Sequence, residues 1–147
     1  HLSVPQSVFD TARLRMEKPT PQVALGMALR GLAHAAADIS DGLLGDLQHI
    51  LKASGVGAEI HIAQVLSTMA CAKSSGLPEE VLLPLCLSGG DDYELVFTAP
   101  EHQRGAIVAA SEAASTHVTR IGKITASPQL KLLPVIFRLR ALNMILL

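Results

Sequence analysis

The sequence predicts an α/β sandwich. Helix-like and strand-like segments alternate along the chain, and the turns between them are able to join antiparallel strands. The chain has 147 residues, 49% of them hydrophobic, which is enough to bury one sizeable core and makes one domain the default.

The segment 1–18 has mixed polarity, with Phe9, Leu14 and Met16 among its few large apolar residues. It reads as a lead-in, helical from Gln6 to Arg15. Thr20 is placed to cap a helix and Pro21 suits a first helical position. Val23, Ala24, Met27, Ala28 and Leu32 mark one face of that helix, which ends near Gly31. Ala33–Ala37 reads as a buried strand running into Asp38. Leu43, Leu44, Leu47, Ile50 and Leu51 then recur at helical spacing, and Ser54-Gly55 stops the helix Gly42–Ala53.

Ala58–Ile62 alternates like a half-buried strand. Ala63–Lys73 is weakly helical and breaks at Ser74-Ser75-Gly76. Pro78–Leu85 is a short helix whose first-turn Glu79 and Glu80 suit the helix dipole. A strand over Tyr93–Thr98, an alanine-rich helix over Pro100–Ser115 and a strand over His117–Ile124 follow. From Pro128 on, an apolar tail reads either as a buried strand plus a helix or as an altered sequence. Lys131, Arg138 and Arg140 interrupt it too often for a bilayer span.

Composition narrows the function classes. Net charge is −1 and the pI about 6.6, so no basic stripe speaks for nucleic acid. Aromatic residues make up 3% with no Trp, which removes the stacking platform of a single-strand binder. Cys71 and Cys86 lack metal-ligand spacing and read as reduced thiols of a cytoplasmic protein. No membrane segment or N-terminal targeting signal is expected. The first residue is His, which reads as a processed or partial chain.

Two acidic, glycine-bearing turns carry the chemistry. In Asp38-Ile39-Ser40-Asp41-Gly42, two carboxylates three residues apart sit between a strand and a helix, with Ser40 or Asp41 near the N-cap. Carboxylates there suit a hard cation such as Mg2+, which keeps water and phosphate oxygens as its other ligands. The free N–H groups of the helix start favour the same anions. Asp and Ser are also the preferred caps of any helix, so this turn taken alone reads more readily as structure. The second turn, Ser88-Gly89-Gly90-Asp91-Asp92-Tyr93-Glu94, again puts small residues and acids beside a β-like run. Two such turns in a chain with few charges elsewhere point to one shared site. Gly89-Gly90 is no P-loop, because the Lys-Ser/Thr ending is absent. Asp46 reads as a solvated helix-face residue, and the six histidines show no ligand spacing with one another.

These segments, with Pro21–Gly26, Ala28–Gly31 and Arg120–Ile124, resemble in order the C-terminal half of the thiamine-monophosphate kinases. That family belongs to the superfamily of aminoimidazole ribonucleotide synthetase and selenophosphate synthetase. The resemblance covers about Pro19 to Thr125. It implies an α/β (α+β) layered sandwich, a mixed sheet covered by helices, with the acidic turns at an edge facing an N-terminal domain absent from this sequence. The implied organisation is a lead-in from that domain at 1–18, the C-terminal kinase domain at 19–127, and an atypical apolar tail at 128–147.

The implied reaction moves the terminal phosphoryl group of ATP onto thiamine monophosphate, giving thiamine diphosphate, with Mg2+ as cofactor and a homodimer when full length. By the same resemblance Asp38 and Asp41 correspond to magnesium ligands, Ser40 to an ATP contact and Glu94 to a thiamine-monophosphate contact. Asp91 and Asp92 are additional candidates, either for the metal or for fixing the Gly-Gly turn. The isolated chain is expected to be weak or inactive. Alternatives are a superfamily relative with another phosphate acceptor or an amide substrate, and a non-catalytic remnant.

Overall fold

A computed structural model describes residues 3–69, 72–90, 93–134 and 144–146. The helices are α1 (Gln6–Glu17), α2 (Val23–Ala28), α3 (Leu43–Ser54), α4 (Ile62–Thr68), α5 (Ala72–Ser75), α6 (Glu79–Ser88) and α7 (Arg104–Ala113). The strands are β1 (Ala35–Asp38), β2 (Gly57–His61), β3 (Leu95–Ala99), β4 (Arg120–Thr125), β5 (Leu130–Leu133) and β6 (Met144–Leu146). They form one mixed sheet in the order β1-β3-β6-β4-β2-β5. Only β2 and β5 run parallel; the other neighbours are antiparallel.

Helices cover both faces, and β3 shows why. Successive side chains of a strand point to opposite faces. Val96 joins a core with Leu43, Leu47 and Leu51 of α3, Val65 of α4 and Leu87 of α6. Its neighbour Phe97 joins a second core with Leu25 and Leu29 beside α2 and Ile107 of α7. The layered α/β sandwich is therefore present, as the sequence predicts. No helix among the described residues is long and apolar enough to cross a membrane.

Several local expectations change. β1 is an edge strand whose Ala36 and Asp38 are exposed, not a buried strand, because nothing pairs with its outer side among the described residues. In α2 the inward residue is Leu25, 2% exposed, while Val23 and Met27 are 62% and 65% exposed. Six residues are too few for periodicity to choose the face. β2 is more buried than the half-buried strand expected: Gly57, Ala58, Ile60 and His61 are buried, and Glu59 is partly exposed. The alanine-rich helix starts later than expected, after a 3-10 turn over Glu101–Gln103.

Part of the apolar tail is strand. β5 pairs with β2, and β6 lies between β3 and β4 near the middle of the sheet. The remainder of the tail, from 135 to 143, lies outside the described residues, as does Cys71. Cys86 is half-buried against the α3 core.

Candidate active site

The first acidic turn leaves β1 and enters α3 through Gly42, which has φ 96° and ψ 152°. That region is essentially restricted to glycine. Gly42, not Ser40 or Asp41, is the residue preceding the helix, and no side chain caps it. The capping comes from the other direction. Asp46 is 6% exposed, and its Oδ2 accepts hydrogen bonds from the backbone N–H groups of Ser40 at 2.9 Å and Asp41 at 3.0 Å. The solvated role expected for Asp46 is thus corrected. Gly42 turns the chain back over the first turn of α3, so the carboxylate of α3 reaches the amides before it.

With its amides held from below, the turn presents outward. Asp38, Ser40 and Asp41 are all exposed, and among the described residues neither Asp38 nor Asp41 accepts a hydrogen bond. Asp41, Asp46 and the exposed His49 bring one ligand atom each within 4.8 Å of one another. Asp38 is not part of that group. His49 lies three residues beyond Asp46 on α3, the spacing that places both on one helix face. Spacing alone could have flagged it only once Asp46 was known to point back. Free carboxylate oxygens beside a hydroxyl suit a hard divalent cation that keeps several waters, and these residues fit one.

The second acidic turn meets the first backbone to backbone. A Cβ on Gly42 would stand 2.9 Å from the Cα and carbonyl carbon of Ser88. A Cβ on Gly90 would stand 2.3 Å from the carbonyl oxygen of Ser40. The glycines are what let the two turns touch. The β1–β3 ladder continues into the same place: Ile39 N–H donates to the Glu94 carbonyl at 2.9 Å, and Tyr93 N–H donates to the Ile39 carbonyl at 3.3 Å. Tyr93 carries φ 55°, an unfavourable backbone for a bulky residue, of the kind found at functional turns. Asp91 and Asp92 lie outside the described residues.

Glu94 is half-buried and already engaged. Its Oε1 accepts from Arg15 of α1, and its Oε2 accepts from Gln22 Nε2 at 3.2 Å. Gln22 in turn accepts from the Thr116 hydroxyl at 3.1 Å. Glu94 therefore ties the lead-in helix and the α7–β4 connection to the second turn. The structure brings Asp38, Ser40, Asp41 and Glu94 to one end of the β1–β3 pair, as the shared-site reading requires.

Residues 6–133 match the family described as AIR synthase related protein, C-terminal domain. The chain belongs to that family. It is 47% identical over 109 residues to thiamine-monophosphate kinase of Escherichia coli K12, covering 74% of this chain and 33% of the relative. Thiamine-monophosphate kinase of Haemophilus influenzae is 41% identical over 108 residues, covering 73% and 32%. This chain thus spans about a third of the length of those relatives.

Among solved structures, thiamine-monophosphate kinase of Stenotrophomonas maltophilia K279a superposes with a TM-score of 0.75 at 37% identity. That match covers 86% of this chain and 39% of the other. AaThiL, in complex with AMPPCP and TMP, superposes with a TM-score of 0.64 at 26% identity, covering 87% and 40%. The sandwich is the family's fold.

Proposed function

We propose that this chain is the substrate- and phosphate-facing part of a magnesium-dependent thiamine-monophosphate kinase. The whole enzyme transfers the terminal phosphoryl group of ATP to thiamine monophosphate. The observation that carries the reading is the contact of two glycine-bearing acidic turns, which gathers exposed Asp38, Ser40 and Asp41 beside Glu94. The kinase names of the relatives and the AMPPCP and TMP complex of one structural neighbour support it.

Phosphoryl transfer depends mainly on positioning and on charge neutralisation, so a site rich in Asp needs no evident general base. Mg2+, when bound, would neutralise phosphate charge, and Asp38 and Asp41 are the residues that would hold it. The Ser40 hydroxyl would donate to a phosphate oxygen. The Glu94 carboxylate would face the cationic end of thiamine monophosphate, exchanging its present Arg15 partner for the ligand. The Asp46 carboxylate would keep the Ser40–Asp41 backbone in place throughout.

In this reading residues 19–127 form the kinase domain, with 1–18 as its lead-in and 128–147 as its tail, and the family match extends into both, from 6 to 133. The full-length enzyme is a cytoplasmic homodimer, and this chain alone turns over weakly or not at all. Calorimetric titration of the chain with thiamine monophosphate, with and without Mg2+ and a non-hydrolysable ATP analogue, tests the site. Magnesium-linked binding that Asp41→Asn and Glu94→Gln each weaken about tenfold is the expected result. Binding by the folded variants equal to that of the parent chain would refute it.

A further inference from the structure

A second polar site is lined by residues outside both acidic turns. Gln64 and Ser67 of α4, Arg104 at the start of α7, and His117, Thr119 and Arg120 leading into β4 line a pocket of about 430 Å3. An adjoining lobe of about 300 Å3 extends along α7 past Ser111 and Glu112. The polar groups of the first pocket are donors or amphoteric, and among the described residues no carboxylate lines it.

Arg120 is the unusual member. Its Nη2 is buried and has no hydrogen-bond partner among the described residues, and its Nε makes a long contact, 3.5 Å, to the Gly122 carbonyl. β4 bulges against β6 between Arg120 and Gly122, and a bulge of this kind re-aims a side chain. A guanidinium stays charged in proteins, and burying it without an acceptor is costly. Arg104 adds a second positive charge beside it. Burial first and Arg104 second push the Arg120 guanidinium below its ordinary value, while Glu101 acts in the opposite sense without reaching salt-bridge distance.

We propose that this pocket binds a phosphate-class oxyanion between the guanidinium groups of Arg104 and Arg120, with the Thr119 and Ser67 hydroxyls and His117 as further contacts. Two guanidinium forks match a tetrahedral oxyanion, and such an anion would supply the acceptor that Arg120 lacks. The volume exceeds what a bare phosphate fills and lies in the range of small organic ligands. The chemical class is therefore a small phosphate monoester, with inorganic phosphate as the minimal occupant. None of its residues belongs to either acidic turn, although the connection that leads into β4 reaches Glu94 through Thr116 and Gln22.

The test is isothermal titration of the full chain with inorganic phosphate and with ribose 5-phosphate, in EDTA so that no cation recruits phosphate to Asp38 and Asp41. Saturable binding in the parent chain, weakened about tenfold or more by Arg104→Gln, supports the site. Tighter binding of the ester than of phosphate assigns the free volume to an organic group, and equal binding assigns the site to phosphate itself. Arg120→Gln should abolish binding; if that chain does not fold, the exposed Arg104 decides. No saturable binding, equal affinity in Arg104→Gln, or loss of binding in Asp41→Asn instead would overturn the proposal.

Discussion

Replacing Gly42 by Ala separates two physical costs that the structure places at one residue. The first is backbone strain: φ 96° with ψ 152° lies in a region that residues with a Cβ avoid, at about 1–3 kcal/mol. The second is contact. The new Cβ would sit 2.9 Å from two backbone carbons of Ser88, roughly half an ångström inside ordinary contact, and such overpacking costs about 1–3 kcal/mol. The sum is about 2–6 kcal/mol. With a urea slope of about 2 kcal/mol per molar, the unfolding midpoint falls by roughly 1–3 M.

Two companion variants apportion the effect. Gly55→Ala has φ 65° and open space, so it carries strain alone, about 1–2 kcal/mol. Gly90→Ala has no positive φ but places a Cβ 2.3 Å from the Ser40 carbonyl oxygen, so it carries contact alone. Urea unfolding followed by circular dichroism gives the three free energies. Gly42→Ala should cost more than Gly55→Ala, and it and Gly90→Ala should also weaken ligand binding, whereas Gly55→Ala should not. A Gly42→Ala chain within about 0.5 kcal/mol of the parent, the scatter of ordinary surface substitutions, would refute the argument that the turns touch through their glycines.

Other perturbations test the surrounding network. Asp46→Ala removes the acceptor of two backbone N–H groups, each a hydrogen bond to a charged group, and should destabilise by about 2–4 kcal/mol while amide exchange at Ser40 and Asp41 accelerates. Unchanged exchange at those two amides would rule out the holding role. Lys123 donates to Glu59 at 2.8 Å across the β2–β4 pair, and that bond chiefly lowers the Glu59 carboxyl below its ordinary value, with burial opposing. A lowered carboxyl stabilises above the unfolded value, about 4.3, and the contribution disappears as pH falls through the folded value. The pair is partly exposed, so Glu59→Gln should flatten the acid side of the stability–pH curve by no more than about 1 kcal/mol. An unchanged acid limb would remove the pair from the account.

The elements most legible in the sequence were those with local signals. Leu43, Leu47 and Leu51 recur at helical spacing, and Gly55, in the left-handed conformation, ends α3 as a glycine stop should. The two acidic turns were legible as compositional clusters, and the glycines within them proved to be the surfaces by which they meet. The rest depended on contacts distant in sequence. Asp46 reads as an exposed helix residue until Gly42 is known to fold the turn back over it. Glu94 was legible as a site candidate, but its Arg15 partner stands 79 residues away. Arg120 was legible only as a residue that could meet phosphate or stay on the surface, Arg104 carried no signal, and the fold alone sets the two on one pocket. The face of α2 was misjudged because Leu25 and Leu29 differ from Val23 and Met27 in position, not in hydrophobicity.

The place of β6 sets an order for assembly during synthesis. β3 and β4 are each joined to the other through residues 144–146, which emerge after every other described element. Without β6 the remaining strands pair only as two half-sheets, β1-β3 and β4-β2-β5, each with an open strand edge. Such edges recruit other chains readily. Once β6 is seated, the same edges become the interior of the molecule.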